Sequence, residues 1–322
     1  MNAFTEARMH LGVELRGAGT HPAALRHGGV DPAALVDPAW WTRLVRAAAA
    51  RGLDLVVLPD GRPEGAPIGV LDAVALAERI APFVPGIGLV PQVDVSAAEP
   101  TVLAKAISTL AVVSAGRAGW EPVTSTGWRE AGPVVEGVLD EEPLDDGVRR
   151  LPRRRPLTVV RADGPDALDV AARHADVVRV AAPGLDAAQA VRERVRDAAA
   201  AAGRHPDRLT VLLDVEVHLA DDAADARASL RELDRSGELP PSTLRVVGAA
   251  VDLANLVERT VALRAADGIT FRPLALPTDL LAITGRVVPL LAGRGLFRTG
   301  SPGTPLRARF QPRGLTDTGV AS

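Results

Sequence analysis

The chain contains no cysteine among its 322 residues. That absence excludes disulfides, thiolate metal ligands and a cysteine nucleophile, and it leaves the redox compartment open, because that inference needs cysteines to interpret. A basic excess is also missing: the formal net charge is −3, which argues against a nucleic-acid partner and leaves small acidic or neutral ligands open. No apolar run approaches the ~18 residues that a membrane helix requires. The first residues, Met1 to Arg8, lack a charged segment leading into an apolar one, so no secretory leader is read and a cytoplasmic location is the default expectation. Lysine is nearly absent too. Lys105 stands alone among many arginines, which with the abundant alanine reads as codon bias in a GC-rich genome rather than as function.

Strand-length apolar runs alternate with helical patterns along the whole chain. Strands are predicted at 11–16, 53–58, 87–95, 118–123, 157–162, 177–181, 209–219 and 269–274. The run Leu53 to Leu58 is almost continuously apolar, as expected of a parallel strand buried on both faces. Helices are predicted at 37–51, 71–84, 100–113, 166–174, 187–202, 222–234, 253–266 and 278–291, the first with Asp37 as N-cap, Pro38 at its first position and Gly52 as its stop. About eight strands separated by helices is the pattern of a (β/α)₈ barrel filling a single domain over 1–322, with a doubly wound open sheet as the alternative. Residues 127–156, rich in glycine, proline and both signs of charge, read as an irregular charged loop. Residues 296–322 read as a C-terminal tail.

Barrel polarity sorts the candidate residues, since sites form where strands end and not where they begin. Arg149, Arg150, Arg153, Arg154 and Arg155 precede a strand, so they read as a solvated loop with Asp140, Glu141, Glu142, Asp145 and Asp146 as weak surface partners. His21 and His27 follow the first strand and fall on the catalytic face. His21 is the candidate acid or base, because imidazole changes charge near neutral pH. His174 and His205 sit near helix ends, where a histidine satisfies terminal carbonyls. His218 alternates with apolar residues on a strand and reads as a satisfied core or face residue. None of the six histidines shows zinc-helix spacing, so no metal is expected. Gly17-Ala18-Gly19 opens like a dinucleotide turn but lacks a third glycine. No P-loop and no Gly-x-Ser-x-Gly occur, and no motif supports a hydrolytic triad.

Several segments in collinear order resemble the luciferase-like flavin-dependent monooxygenases, in the branch of the nitrilotriacetate, dibenzothiophene-sulfone and pristinamycin-type enzymes. They are Gly19 to Arg26, Leu53 to Gly61, Ile87 to Val90, Glu99 to Lys105, Leu110 to Ser125 with Ser114-Ala115-Gly116-Arg117-Ala118-Gly119-Trp120 at its centre, and Arg294 to Arg307. The resemblance implies a luciferase-like TIM barrel, a homodimer or heterodimer, reduced FMN supplied by a separate flavin reductase, and dioxygen used to oxidise a small organic substrate. It implies Asp60, Gln92, Thr124, Ser125 and Gly164 around the flavin and His21 near the oxidation site. Departures fall at the same places. Gln92 and Asp94 stand where the family has threonine and serine, and an added carboxylate there opposes an anionic reduced flavin unless a partner neutralises it. Glu121-Pro122 replaces an asparagine-containing pair. The family's insertion after strand four, with its flavin-contacting tyrosine, is shortened here, and the chain has no tyrosine. Where the family binds phosphate after strand five, this chain has Arg161-Ala162-Asp163-Gly164-Pro165-Asp166: Pro165 cannot donate an N–H, and the two aspartates repel a phosphate dianion. A second reading therefore stands beside the monooxygenase: a non-catalytic barrel that lost flavin binding and serves as a partner subunit or binder of another ligand.

Overall fold

The computed structural model describes residues 9–59, 71–96, 99–123, 128–140, 155–298 and 304–310. Its strands are β1 (His10–Glu14), β2 (Leu55–Leu58), β3 (Gly88–Asp94), β4 (Gly119–Val123), β5 (Leu157–Arg161), β6 (Val177–Val180), β7 (Thr210–Leu219), β8 (Arg245–Gly248) and β9 (Gly268–Pro273). Its helices are α1 (Ala24–His27), α2 (Pro38–Ala49), α3 (Ala73–Ile80), α4 (Pro100–Val113), α5 (Trp128–Asp140), α6 (Pro165–His174), α7 (Leu185–Ala201), α8 (Ala223–Asp234), α9 (Ala250–Ala262), α10 (Thr278–Ala282), α11 (Val288–Gly293) and α12 (Leu306–Phe310).

Local chemistry starts many of these helices. Asp37, Asp72, Glu99 and Asp222 each accept a backbone N–H one to three residues into the helix that follows, and Pro38 and Pro100 fill first-turn positions where no N–H is needed. The strands pair in parallel in the order β1 to β7, then β9 back to β1, which closes an eight-stranded barrel and leaves none of those eight without a neighbour on either side. The open-sheet alternative is thereby discarded. β8 was not foreseen in the sequence. The ten-residue β7 outruns its neighbour β6, pairing with it through Thr210–Leu213, and its second half pairs with β8 through Glu216–Leu219. β8 thus continues the wall above β6 at the carboxyl mouth.

Alternation along each strand sends one set of side chains into the lumen and the other onto the helices. Nearest the amino end the inward positions are Gly12, Leu55, Gly88, Gly119, Leu157, Val177, Leu212 and Gly268, among which Gly12 pairs with Leu55, Leu55 with Gly88, Gly119 with Leu157 and Leu212 with Gly268. The glycines leave room for α12: Leu306 and Phe310 cluster with Leu55, Val57, Val90, Leu157, Val159, Val177 and Leu212, and a Cβ at Gly88 would lie 2.4 Å from Leu306 Cδ1. Arg309 donates to the Gly86 carbonyl at 2.9 Å, fastening this plug to the turn that precedes β3. Part of the segment read as a tail is therefore the floor of the barrel.

The irregular loop expected over 127–156 is corrected as well, because α5 occupies residues 128–140. Trp128, Ala131, Val135 and Leu139 recur at helical spacing and are buried, whereas Pro133 is exposed. Gly132, one of the residues that suggested a loop, is required beneath the Trp128 ring: a Cβ there would lie 2.6 Å from it. Trp120 of β4 is fully buried on the helix side and stacks on Trp128 at 5.9 Å. Glu136 of α5 accepts His174 at 2.5 Å, so that histidine holds a neighbouring helix rather than its own terminal carbonyls. Arg155 ion-pairs with Asp140 at 3.0 Å, as expected of surface partners, while Arg149, Arg150, Arg153 and Arg154 lie outside the described residues.

Candidate functional site

One step toward the carboxyl end, the lumen changes from apolar to ionic. The inward positions are Glu14 on β1, Gln92 on β3, Glu121 on β4, Arg161 on β5, Arg179 on β6, Asp214 and Glu216 on β7, and Arg272 on β9. Arg179 is the hub and is wholly buried. Its Nε and Nη2 donate to Asp214 at 2.9 Å each, Nη1 donates to both oxygens of Glu121 at 3.1 and 2.9 Å, and Nη2 donates to Glu14 at 2.6 Å. Gln92 adds an N–H to Glu121 at 2.7 Å. Glu216 accepts from Arg245 at 2.7 Å and from the Ser242 hydroxyl at 2.7 Å, and Arg272 donates to that hydroxyl at 2.8 Å. Arg16 and Arg161, both partly exposed, close the network through Glu14 at 3.2 Å and Asp214 at 3.6 Å.

Charge within the network is compensated but unevenly shared. Burial pushes the Glu14 carboxyl up, yet Arg179, Arg272 and Arg16 together outweigh it and hold the group well below the usual carboxylate range. Burial wins at Glu121 and Asp214, whose carboxyls are raised despite Arg179, because one guanidinium serves three acids. Arg179 itself is held in its charged form by the same three acids. Isolated buried charges would cost several kcal/mol each, so this layer persists only as a complete set of pairs.

The five expected flavin contacts and the expected acid or base are distributed unequally. Asp60, Thr124 and Ser125 lie outside the described residues. Gln92 points into the network and is spent on Glu121. Asp94, the added acid of strand three, takes the Ser96 N–H at 2.9 Å and its hydroxyl at 2.6 Å, both on Oδ1, so that oxygen is hydrogen-bonded within its own turn. Gly164 is the extended residue before α6, and a Cβ there would meet nothing. Pro165 fills the first helical position, Asp166 the first turn, and Asp163 pairs with Arg161 at 3.2 Å. His21 is buried with both ring nitrogens engaged: Nδ1 accepts the Ala23 N–H at 3.1 Å, which leaves Nε2 as the donor to Asp234 of α8 at 3.0 Å. The structure brings His21 to the carboxyl rim and does not bring it to Gln92 or Gly164 through any hydrogen bond.

Glu14, Arg179, Asp214, Glu216 and Arg272 were missed from the sequence. Their signal was present as single charges at alternate positions of otherwise apolar runs, as in Val178-Arg179-Val180 and Leu213-Asp214-Val215-Glu216-Val217. Among the described residues, no group of three or more His, Asp and Glu has metal-site geometry, and no helix is long and apolar enough to cross a membrane.

Comparison with known proteins agrees with this architecture. The chain is 22% identical to the N-acetyl-S-(2-succino)cysteine monooxygenase of Bacillus subtilis (strain 168), across 94% of this chain and 96% of that protein. It is 24% identical to the nitrilotriacetate monooxygenase component A of Aminobacter aminovorans, across 93% and 95%. The first alignment runs over 424 positions, so many of them face gaps in this shorter chain. Among solved structures, the EDTA monooxygenase EmoA from Chelativorans sp. BNC1 superposes with a TM-score of 0.82 at 20% identity, across 95% of this chain and 99% of that one. The long-chain alkane monooxygenase LadA gives 0.81 at 17% identity, across 95% and 96%. The family profile described as luciferase-like monooxygenase matches residues 123–283, half of the chain. With that match on a closed eight-stranded barrel, the chain belongs to the luciferase-like monooxygenase family.

Proposed function

We propose that this protein is a flavin-dependent oxidoreductase of the monooxygenase type, which uses reduced flavin from a separate reductase and dioxygen to oxidise a small organic molecule at the carboxyl mouth of its barrel. A cytoplasmic reaction is part of this reading. The observation that carries it is the division of the lumen: apolar and plugged by α12 at one end, polar, rigid and charge-compensated at the other. Support for a partner comes from the names of two relatives: the nitrilotriacetate enzyme is called a component, and the pristinamycin IIA synthase protein of Streptomyces pristinaespiralis is called one subunit of that synthase.

The described residues fit the ring of a reduced flavin better than its phosphate. Of the acids that would oppose an anionic ring, Glu121 is compensated by Arg179 and Asp94 is turned onto the N–H and hydroxyl of Ser96, and the partly exposed guanidinium groups of Arg16 and Arg161 face the same end. The turn before α6, where the resemblance puts the phosphate, does not fit one. Pro165 has no N–H to give, and Asp163 and Asp166 place carboxylates beside the expected dianion. Reduced flavin, when bound, supplies the activation of dioxygen. The chain supplies the rest: Arg179 fixes Glu121 and Asp214 in place, and Glu121 in turn aims Gln92 at the lumen, so that a ligand meets an already ordered floor.

The acidic turn and the doubly engaged His21 favour a second reading, in which the barrel has lost flavin and acts as a non-catalytic partner subunit. Titration of purified protein with FMN and with riboflavin, each oxidised and reduced, separates the two. The flavoenzyme reading expects both to bind with similar affinity. A preference of about tenfold or more for FMN, worth about 1.4 kcal/mol, would overturn the account of the turn. Binding of neither flavin in either state would overturn the flavoenzyme reading and leave the partner subunit.

A further inference from the structure

Two residues beyond Glu216 on the same face of β7, His218 joins a group that the flavin reading does not use. Its Nδ1 lies 3.2 Å from Asp279 Oδ2, and its Nε2 lies 3.0 Å from the hydroxyl of Ser229. The three residues come from β7, α8 and α10, and meet at the carboxyl rim. Asp279 is fully buried and takes the Leu219 N–H on Oδ1 at 2.9 Å and the Ala275 N–H on Oδ2 at 2.8 Å. Two backbone donors suit an ionised carboxylate, which accepts and cannot donate. The proton between Asp279 and His218 therefore sits on Nδ1, and Nε2 is left with a free electron pair. The Ser229 hydroxyl must then donate to Nε2, which is the direction a general base requires. His218 is 4% exposed whereas Ser229 is an exposed residue, so the base is sheltered and the contact between them lies at the edge of solvent.

We propose that Ser229, His218 and Asp279 form an acyl-transfer centre that hydrolyses small activated carboxylic esters, independently of flavin. Ser229 Oγ attacks the ester carbonyl carbon while its proton passes to His218 Nε2. The carbon–oxygen bond to the leaving alcohol breaks, and that alcohol departs with the proton from Nε2. Water then attacks the acyl-serine, its proton passing to Nε2 and from there to Ser229 Oγ as the carboxylic acid is released. Ester and water become acid and alcohol, and no oxidant or reductant is consumed. Asp279 touches no reacting atom and acts as a positioning residue that sets the imidazole tautomer. Base catalysis by an oriented histidine supplies about 10²- to 10⁴-fold, which selects esters with good leaving groups over alkyl esters.

The full chain is assayed with p-nitrophenyl acetate in the absence of flavin and reductant, and the acetylated protein is mapped by mass spectrometry. The expected result is release of p-nitrophenol with the acetyl group on Ser229, and a loss of about 100-fold or more in Ser229→Ala. Because Ser229 is exposed, that variant stays folded, its melting temperature lowered by no more than about 2–4 °C through the hydrogen bond lost at His218 Nε2. Asp279→Asn is expected to slow acylation while Ser229 remains the labelled residue. An acetyl group found elsewhere, or a wild-type rate in Ser229→Ala, overturns the proposal and leaves the three side chains as a clasp between β7, α8 and α10. Neither result bears on flavin binding, so failure of the esterase proposal is distinguishable from failure of the monooxygenase reading.

Discussion

Replacing Arg179 with methionine would remove the one cation among the described residues that touches Glu14, Glu121 and Asp214 together, with five hydrogen bonds lost at a site where all four side chains are wholly screened from water. Breaking a buried ion pair by deleting one partner costs about 3–5 kcal/mol, and here Glu121 loses the cation that pairs with it while Glu14 keeps Arg16 and Arg272 and Asp214 keeps Arg161. Against a total stability of about 5–15 kcal/mol this is a large fraction, corresponding to a fall in melting temperature of about 4–7 °C for a chain of this size. Arg179→Lys should recover only part of it, since an ammonium keeps the charge but cannot span three carboxylates with a planar fork. Adding Glu121→Gln and Asp214→Asn to Arg179→Met should recover more, because the stranded charges themselves are then gone. The assay is thermal and urea unfolding followed by circular dichroism at neutral pH. If Arg179→Met melts within about 1 °C of wild type, the buried network contributes under about 1 kcal/mol and Arg179 is not what holds the lumen together.

Acidification tests how charge is shared in the same layer. Glu121 and Asp214 have raised folded-state values, so their contribution to stability is fully present below the ordinary carboxylate range and is lost as pH rises through those values; Glu14 and Asp54, held low, contribute above the ordinary range and lose that contribution as pH falls through theirs. Urea midpoints measured from mildly acidic to neutral pH should therefore fall less steeply in Glu121→Gln than in wild type, and an unchanged slope would contradict the raised value. At the barrel floor, Gly88→Ala drives a methyl to 2.4 Å from Leu306 and should cost about 1–3 kcal/mol. Combining it with Leu306→Ala should cost less than the two single losses added; full additivity in a double-mutant cycle would show that α12 does not press on β3.

Much of the fold was legible because parallel strands buried on both faces and capped helices write themselves locally. Asp37-Pro38 and Gly52 bracket α2, and α4 runs over the very residues expected of it. Where the reading failed, the cause was long-range. β8 exists because β7 outruns β6 and needs a partner for its second half, a matter of barrel geometry that no window of sequence contains. α5 was obscured by Gly132 and Pro133, and only the Trp128 ring lying over Gly132 shows why a glycine belongs there.

The site followed the same division. Sequence alone determined the family resemblance, the barrel, the carboxyl-end placement of Gln92, Gly164 and His21, and the turn at Pro165 that has no N–H to give, since each depends on residue type and order along one strand or turn. Only tertiary structure decided that Arg179 gathers acids from β1, β4 and β7, that His21 is spent on Asp234, and that Ser229, His218 and Asp279 meet at all. The physical reason is closure: residues separated by 35 to 165 positions become neighbours of one guanidinium when the sheet curls on itself, and a charge that looks like an isolated exception within its own strand becomes the centre of a compensated network.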